Sequence, residues 1–156
     1  MAQFSGGNGA FTPATTNDNW TLVADAAGET GLIKSVSWGG RGTTSTGYRT
    51  RWTRPSTNPT GAGTALTIAS SRPAATATCL LASTFATTQP TLVADPGANL
   101  FAIDWNVLGG GGILNLPIGG EWTVVNSATA GHGYISCRNV AGTDASLSSY
   151  NVSWEE

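Results

Sequence analysis

Charge is scarce in this chain. Only 10% of its 156 residues are Asp, Glu, Lys or Arg, against about 25% in an ordinary soluble domain. With a formal charge of −2, it offers no basic footprint for nucleic acid and no cationic face for an acidic membrane. No apolar run approaches the roughly 18 residues of a membrane-spanning helix. The opening MAQFSGGNGAFTP has neither a basic n-region nor an apolar h-region, so no secretion signal is expected. The only cysteines, Cys79 and Cys137, are too few for a stapled framework, and neither has a partner at metal-ligand spacing. Their number favours buried free thiols over a bridge. Helical periodicity is also missing: no stretch repeats apolar residues at i, i+3, i+4 and i+7 over three turns.

What the chain has instead is glycine (21), tryptophan (6) and much Thr, Ser and Ala. Six tryptophans argue against disorder, and 156 residues suit one domain able to bury roughly 68–70% of its unfolded surface. Period-2 alternation bounded by Gly, Pro and Asn recurs throughout. Gly31–Trp38 sets Leu32, Val36 and Trp38 against Ile33, Ser35 and Ser37. Tyr48, Thr50 and Trp52 alternate with Arg49 and Arg51; Phe101, Ile103, Trp105 and Val107 with Ala102, Asp104 and Asn106; Tyr150, Val152 and Trp154 with Asn151, Ser153 and Glu155. Adding Thr21–Asp25, Thr64–Ile68, Cys79–Leu81, Ile113–Leu116, Trp122–Asn126 and Tyr134–Val140 gives about ten short strands. The expectation is an all-β, jelly-roll-like antiparallel sandwich over residues 20–156, preceded by a flexible N-terminal arm over residues 1–19.

The pentapeptide TLVAD occurs at Thr21–Asp25 and again at Thr91–Asp95, an offset of 70. The same offset carries Gly39, Gly40 and Gly42 onto Gly109, Gly110 and Gly112, and Trp52 onto Trp122. Two halves of one sandwich in equivalent places are the expected cause.

Candidate chemistry is thin. His132, the only histidine, has no serine in a nucleophile elbow to serve. Asp104 and Glu121 could in principle form a glycosidase pair, but each sits in a strand pattern where a carboxylate faces solvent or a subunit. Asp25 and Asp95 fit turn-closing roles. GGRG and GGGG lack the Lys-Ser/Thr of a phosphate loop and lead into no helix. The densest cluster is Arg41, Arg49, Arg51 and Arg54, four of the seven basic residues. Such a strip suits carboxylates on a neighbouring protein better than nucleic acid, because Tyr48 and Trp52 alternate away from it. Phe4 and Phe11 are the apolar handholds expected on the arm. No catalytic, cofactor-binding or metal-ligating residue is expected.

The phrases SVSWGGRGTTSTGYRTRWTRP, DWNVLGGGG and SCRNVAGTDASLSSYNVSWEE resemble small virion structural proteins of tailed bacteriophages, and the resemblance extends over most of Trp20–Glu156. It implies a non-enzymatic, often homotrimeric sandwich without cofactors, made in the cytoplasm of a bacterial host and placed on the capsid surface. A decoration or cement protein of that kind clamps major capsid protein subunits from the head exterior. The alternative it implies is a glycan-binding module of a fibre or tail spike, for which Trp20 or Trp122 would be the platform.

Overall fold

The computed structural model describes residues 1–11, 15–24, 26–85, 88–92, 99–126, 132–141 and 148–156. Asp25 and Asp95 lie outside them. Among the described residues there is no helix. In the first half the strands are β1 (Gln3–Phe11), β2 (Trp20–Val23), β3 (Thr30–Gly40), β4 (Gly47–Thr53), β5 (Pro55–Thr57), β6 (Gly63–Ala65) and β7 (Ile68–Ser70). The second half supplies β8 (Leu80–Phe85), β9 (Thr91–Leu92), β10 (Asn99–Asn106), β11 (Gly111–Asn115), β12 (Trp122–Val125), β13 (Tyr134–Ala141) and β14 (Ser148–Glu155).

Two six-stranded antiparallel sheets pack as a β-sandwich. One runs β11-β3-β14-β1-β7, with β12 also on β3, and the other runs β10-β4-β13-β2-β8-β6. The alternation in the sequence sets what lies between them. Tyr48, Thr50 and Trp52 from β4 and Tyr150, Val152 and Trp154 from β14 are all buried, as expected. Aromatic rings join the sheets: Trp38 of the first has its centroid 5.4 Å from Trp52 and 5.9 Å from Phe101 of the second. Each such pair adds about 0.5–1.5 kcal/mol beyond its buried area.

Three expectations need correcting. First, Gln3–Phe11 is no arm. β1 pairs with β14 from Gln3↔Glu155 to Asn8↔Tyr150, and its other edge pairs with β7. Phe4 is in the core, stacked on Trp154 at 5.8 Å. Two of the glycines that suggest flexibility are there for close packing: a Cβ on Gly7 would lie 2.2 Å from the Tyr150 carbonyl oxygen, and one on Gly6 would lie 2.6 Å from Leu81 Cδ2. Second, Thr64–Ile68 is not one strand. The chain leaves the second sheet after Ala65 and enters the first at Ile68. Third, β3 carries an extra residue, Lys34, between the pairs Ile33↔Trp154 and Ser35↔Ser153. This bulge turns Ile33 inward with Val36 and leaves Leu32 half-exposed.

The repeat has a mixed outcome. The offset of 70 carries β3 onto β10 and β4 onto β12, and β10 pairs with β4 while β12 pairs with β3. The two TLVAD copies, however, sit in different environments. Thr21–Val23 is buried in β2, between β13 and β8, whereas Thr91–Leu92 forms a two-stranded ribbon with β5. The two glycine runs are spatial neighbours rather than symmetric copies: Gly40 N donates to the Gly110 carbonyl at 3.1 Å, and Gly111 pairs with Gly39.

Candidate functional site

The arginine strip does not survive as a unit. Arg41 is exposed, and Arg49 pairs with Asp104 of the adjacent β10 at 3.0 Å. That surface ion pair contributes little to stability, and it occupies the carboxylate that a glycosidase would need. Arg51 is buried, its Nε donating to Asn99 Oδ1 at 2.5 Å. Arg54 is half-buried and reaches across to the other sheet, donating to the carbonyls of Thr123 (2.5 Å) and His132 (3.3 Å). Burial lowers its pKa. Arg51 and Arg54 are therefore structural, because hydrogen-bond acceptors inside the fold use their guanidinium groups. Phe4, in the core, is not a free contact either. Phe11 ends β1 opposite Ser148, and its side chain lies outside the described residues.

Sequence reasoning missed the most polar buried cluster. Asp18 is fully buried and takes Arg138 Nε at 2.6 Å, Thr21 Oγ1 at 2.6 Å and Ser136 Oγ at 3.0 Å. Arg138 also donates to the Pro90 carbonyl at 2.8 Å. Burial pushes the Asp18 carboxyl above its ordinary range, with the Arg138 charge acting in the opposite direction. Asp18 and Arg138 are 120 residues apart, so no local motif could announce them. Arg138 faces Arg51 directly across the β4–β13 pair, which makes the Asp18 charge necessary between like charges. All four groups satisfy one another, so the cluster holds the fold and leaves no group poised for catalysis.

A second network crosses the core. Asn139 Oδ1 accepts from Tyr150 Oη (2.7 Å), Thr50 Oγ1 (2.8 Å) and Asn19 Nδ2 (3.2 Å), and Trp105 Nε1 donates to Thr50 Oγ1 (2.9 Å). Burial pushes both the Tyr150 phenol and the Cys137 thiol up, which disfavours their anionic forms. Both cysteines are buried and neither is in a disulfide. Among the described residues no group of three His, Cys, Asp or Glu could hold a metal. Trp20 is wholly buried and cannot be a sugar platform, and Trp122 is half-buried against the core.

Glu156 anchors the segment before β8. Its carboxylate accepts from Thr78 N (2.6 Å), Thr78 Oγ1 (2.8 Å), Cys79 N (3.0 Å) and Trp154 Nε1 (2.7 Å). Burial alone would raise its pKa, but these donors outweigh it and the net shift is downward. A depressed folded-state pKa gives stability that is complete above the unfolded value near 4.5 and is lost as pH falls through the folded value. Urea midpoints taken from pH 6 down to pH 3 should therefore fall more steeply for the wild type than for Glu156→Gln. Parallel curves would remove this carboxylate from the acid response.

Among the described residues, apart from Met1 and Val125, the exposed large apolar side chains gather at two places. On the β10–β11–β12 edge, Leu108 (56% exposed), Ile113 (68%) and Ile118 (97%) stand in solvent. Ile118 sits at the tip of a tight turn: Gly120 N donates to the Pro117 carbonyl at 2.9 Å, and Gly119 has a φ of +84°. Glu121 braces that turn, taking Gly119 N at 2.7 Å on one oxygen and Lys34 Nζ at 2.9 Å on the other. The hydrogen bond from Lys34 is the main reason the Glu121 pKa is lowered. The second place is a pocket of about 300 Å³ beside β6 and β8, walled by Val23, Pro59, Leu66, Leu80, Leu81 and Ala82. Compared with known proteins, the chain matches no family model, no curated protein and no solved structure.

Proposed function

We propose that this chain is a non-enzymatic structural protein of a tailed-phage virion. Its role is that of a capsid decoration protein, which binds the head exterior and bridges major capsid protein subunits. Jelly-roll winding and a homotrimeric assembly are the finer parts of the same reading. One observation carries it: among the described residues most charged side chains are tied to partners within the fold, while neutral polar residues and a few fixed aliphatic ones make up much of what meets solvent. Asp18, Arg51, Arg54, Arg138 and Glu156 all bond within the fold, and Lys34 is held by Glu121 and Glu155. A surface of that kind suits contact with other proteins better than turnover of a substrate. Several weak contacts made at once then give firm attachment.

Co-sedimentation with phage heads tests this. The expected result is saturable binding in a fixed ratio to the major capsid protein. Binding should change little between about 0.05 and about 0.5 M salt, because exposed charge pairs, which salt would screen, play little part. Absence of binding to heads, together with specific binding on a glycan array, would overturn it in favour of a fibre or spike module.

A further inference from the structure

The braced turn presents an exposed aliphatic side chain and the pocket is lined without a charged one, and we propose that Ile118 of one copy seats in the β6–β8 pocket of a second copy. This inference rests on the reading of the chain as a self-associating structural protein and names the contact. The knob is fixed before it binds. Its turn closes on its own Pro117–Gly120 hydrogen bond, and Glu121 ties it to Lys34 of β3. An isoleucine held 97% exposed on a rigid tip loses little conformational freedom on docking, which favours its use as an anchor.

The pocket is the complementary half. It has about 300 Å³ of space, its lining contains no charged side chain, and Leu80 on its wall is 53% exposed. Such a site accepts a neutral aliphatic group and rejects an ion, because a charge there would find no partner. The charges beside the turn are paired, Lys34 bridging Glu121 and Glu155, and the one negative charge left over meets no like charge in the pocket lining.

Topology then decides who fills the pocket. Ile118 lies between β11 and β12, at the end of the first sheet that overlies β10, where Trp38 meets Phe101. The pocket lies at the far end of the second sheet, where β8 and β6 close the order. Knob and hole occupy opposite lateral edges of one sandwich, so a copy cannot fill its own pocket. The contact is heterologous, and repeated copies form a closed ring or an open chain according to the rotation between them.

Complementary variants test this by sedimentation of the full chain up to about 1 mM. Ile118→Asp removes the knob and Leu80→Asp spoils the hole. Both side chains are largely solvent-exposed, so melting temperatures should stay near the wild-type value. Ala62→Trp, at an exposed position in the lining, is a second hole variant. Each variant alone is expected to associate at least about tenfold more weakly than the wild type. An equimolar mixture of Ile118→Asp and Leu80→Asp should yield 1:1 dimers and nothing larger, because only one intact knob and one intact hole can meet. Wild type that stays monomeric at about 1 mM, variants that associate like the wild type, or a mixture that stays monomeric would each overturn the contact. Self-association through Ile118 without binding to phage heads would overturn the virion reading and leave this contact standing. Head binding with Ile118→Asp associating as the wild type does would do the reverse.

Discussion

Gly40→Ala is expected to destabilise the fold by roughly 3 kcal/mol or more and to lower the melting temperature by roughly 6–12 °C. A Cβ at this position would lie 2.0 Å from the Val107 carbonyl oxygen and 2.6 Å from the Val107 C and Cα. The obstacle is backbone, and it cannot rotate away. Val107 is itself buried and held by its N–H to the Thr46 carbonyl at 3.0 Å. Gly40 meanwhile donates to Gly110, whose own N–H donates back to the Asn106 carbonyl at 2.6 Å. Relieving the clash would open the point where the chain passes from β10 in one sheet to β11 in the other. Gly39→Ala is the control. Its nearest neighbour would be Ser149 Oγ at 3.4 Å, an ordinary contact, so a change within about 0.5 kcal/mol is expected. Thermal melts of the two variants decide the matter, and equal losses would mean that the strands do not meet at Val107 as described.

The second large effect is at the buried ion pair. Asp18→Asn should cost about 3–5 kcal/mol, because it leaves Arg138 buried without an anion and directly opposite Arg51. Arg138→Met should be milder. The stranded Asp18 keeps its bonds from Thr21 and Ser136 and can take up a proton. Its folded pKa is raised, first by burial, so its protonated form adds stability below the unfolded value of 3.8 that is lost as pH rises through the folded value. The deficit of Arg138→Met against the wild type should therefore grow from pH 4 to pH 7. The double variant Asp18→Leu, Arg138→Met is expected to be more stable than Asp18→Asn, since it leaves no unpaired buried charge from the pair. Thr21 Oγ1 and Ser136 Oγ, 3.1 Å apart, still have each other. Denaturant midpoints at the two pH values check all three variants, and a double variant as weak as Asp18→Asn would refute this account.

These two predictions differ in how far the sequence could have led to them. The glycine runs are conspicuous in the sequence. Which glycine bears the approach was hidden, because Gly39 and Gly40 differ only in what lies across from them. The Asp18–Arg138 pair left no local trace at all. The arginine cluster, by contrast, was easy to see and misled. Arg49 and Arg51 alternate alike, yet Arg49 meets Asp104 at the surface while Arg51 is covered. Sequence spacing names a face of a strand, but not what is laid over it.

By itself, the sequence determined that the chain is all-β, that Tyr48, Trp52, Tyr150 and Trp154 point inward, and that the cysteines need not be bridged. Those properties follow from side-chain period and composition, which act locally. Tertiary structure alone decided that Gln3–Phe11 is a strand, since its glycines gain order only from β14 and β7 on either side. It also decided that Arg51, Arg54 and Arg138 are internal struts, and that an isoleucine and an apolar pocket stand at opposite edges. Each of these depends on partners tens of residues away in the chain, and burial, pairing and exposure exist only once those partners have met.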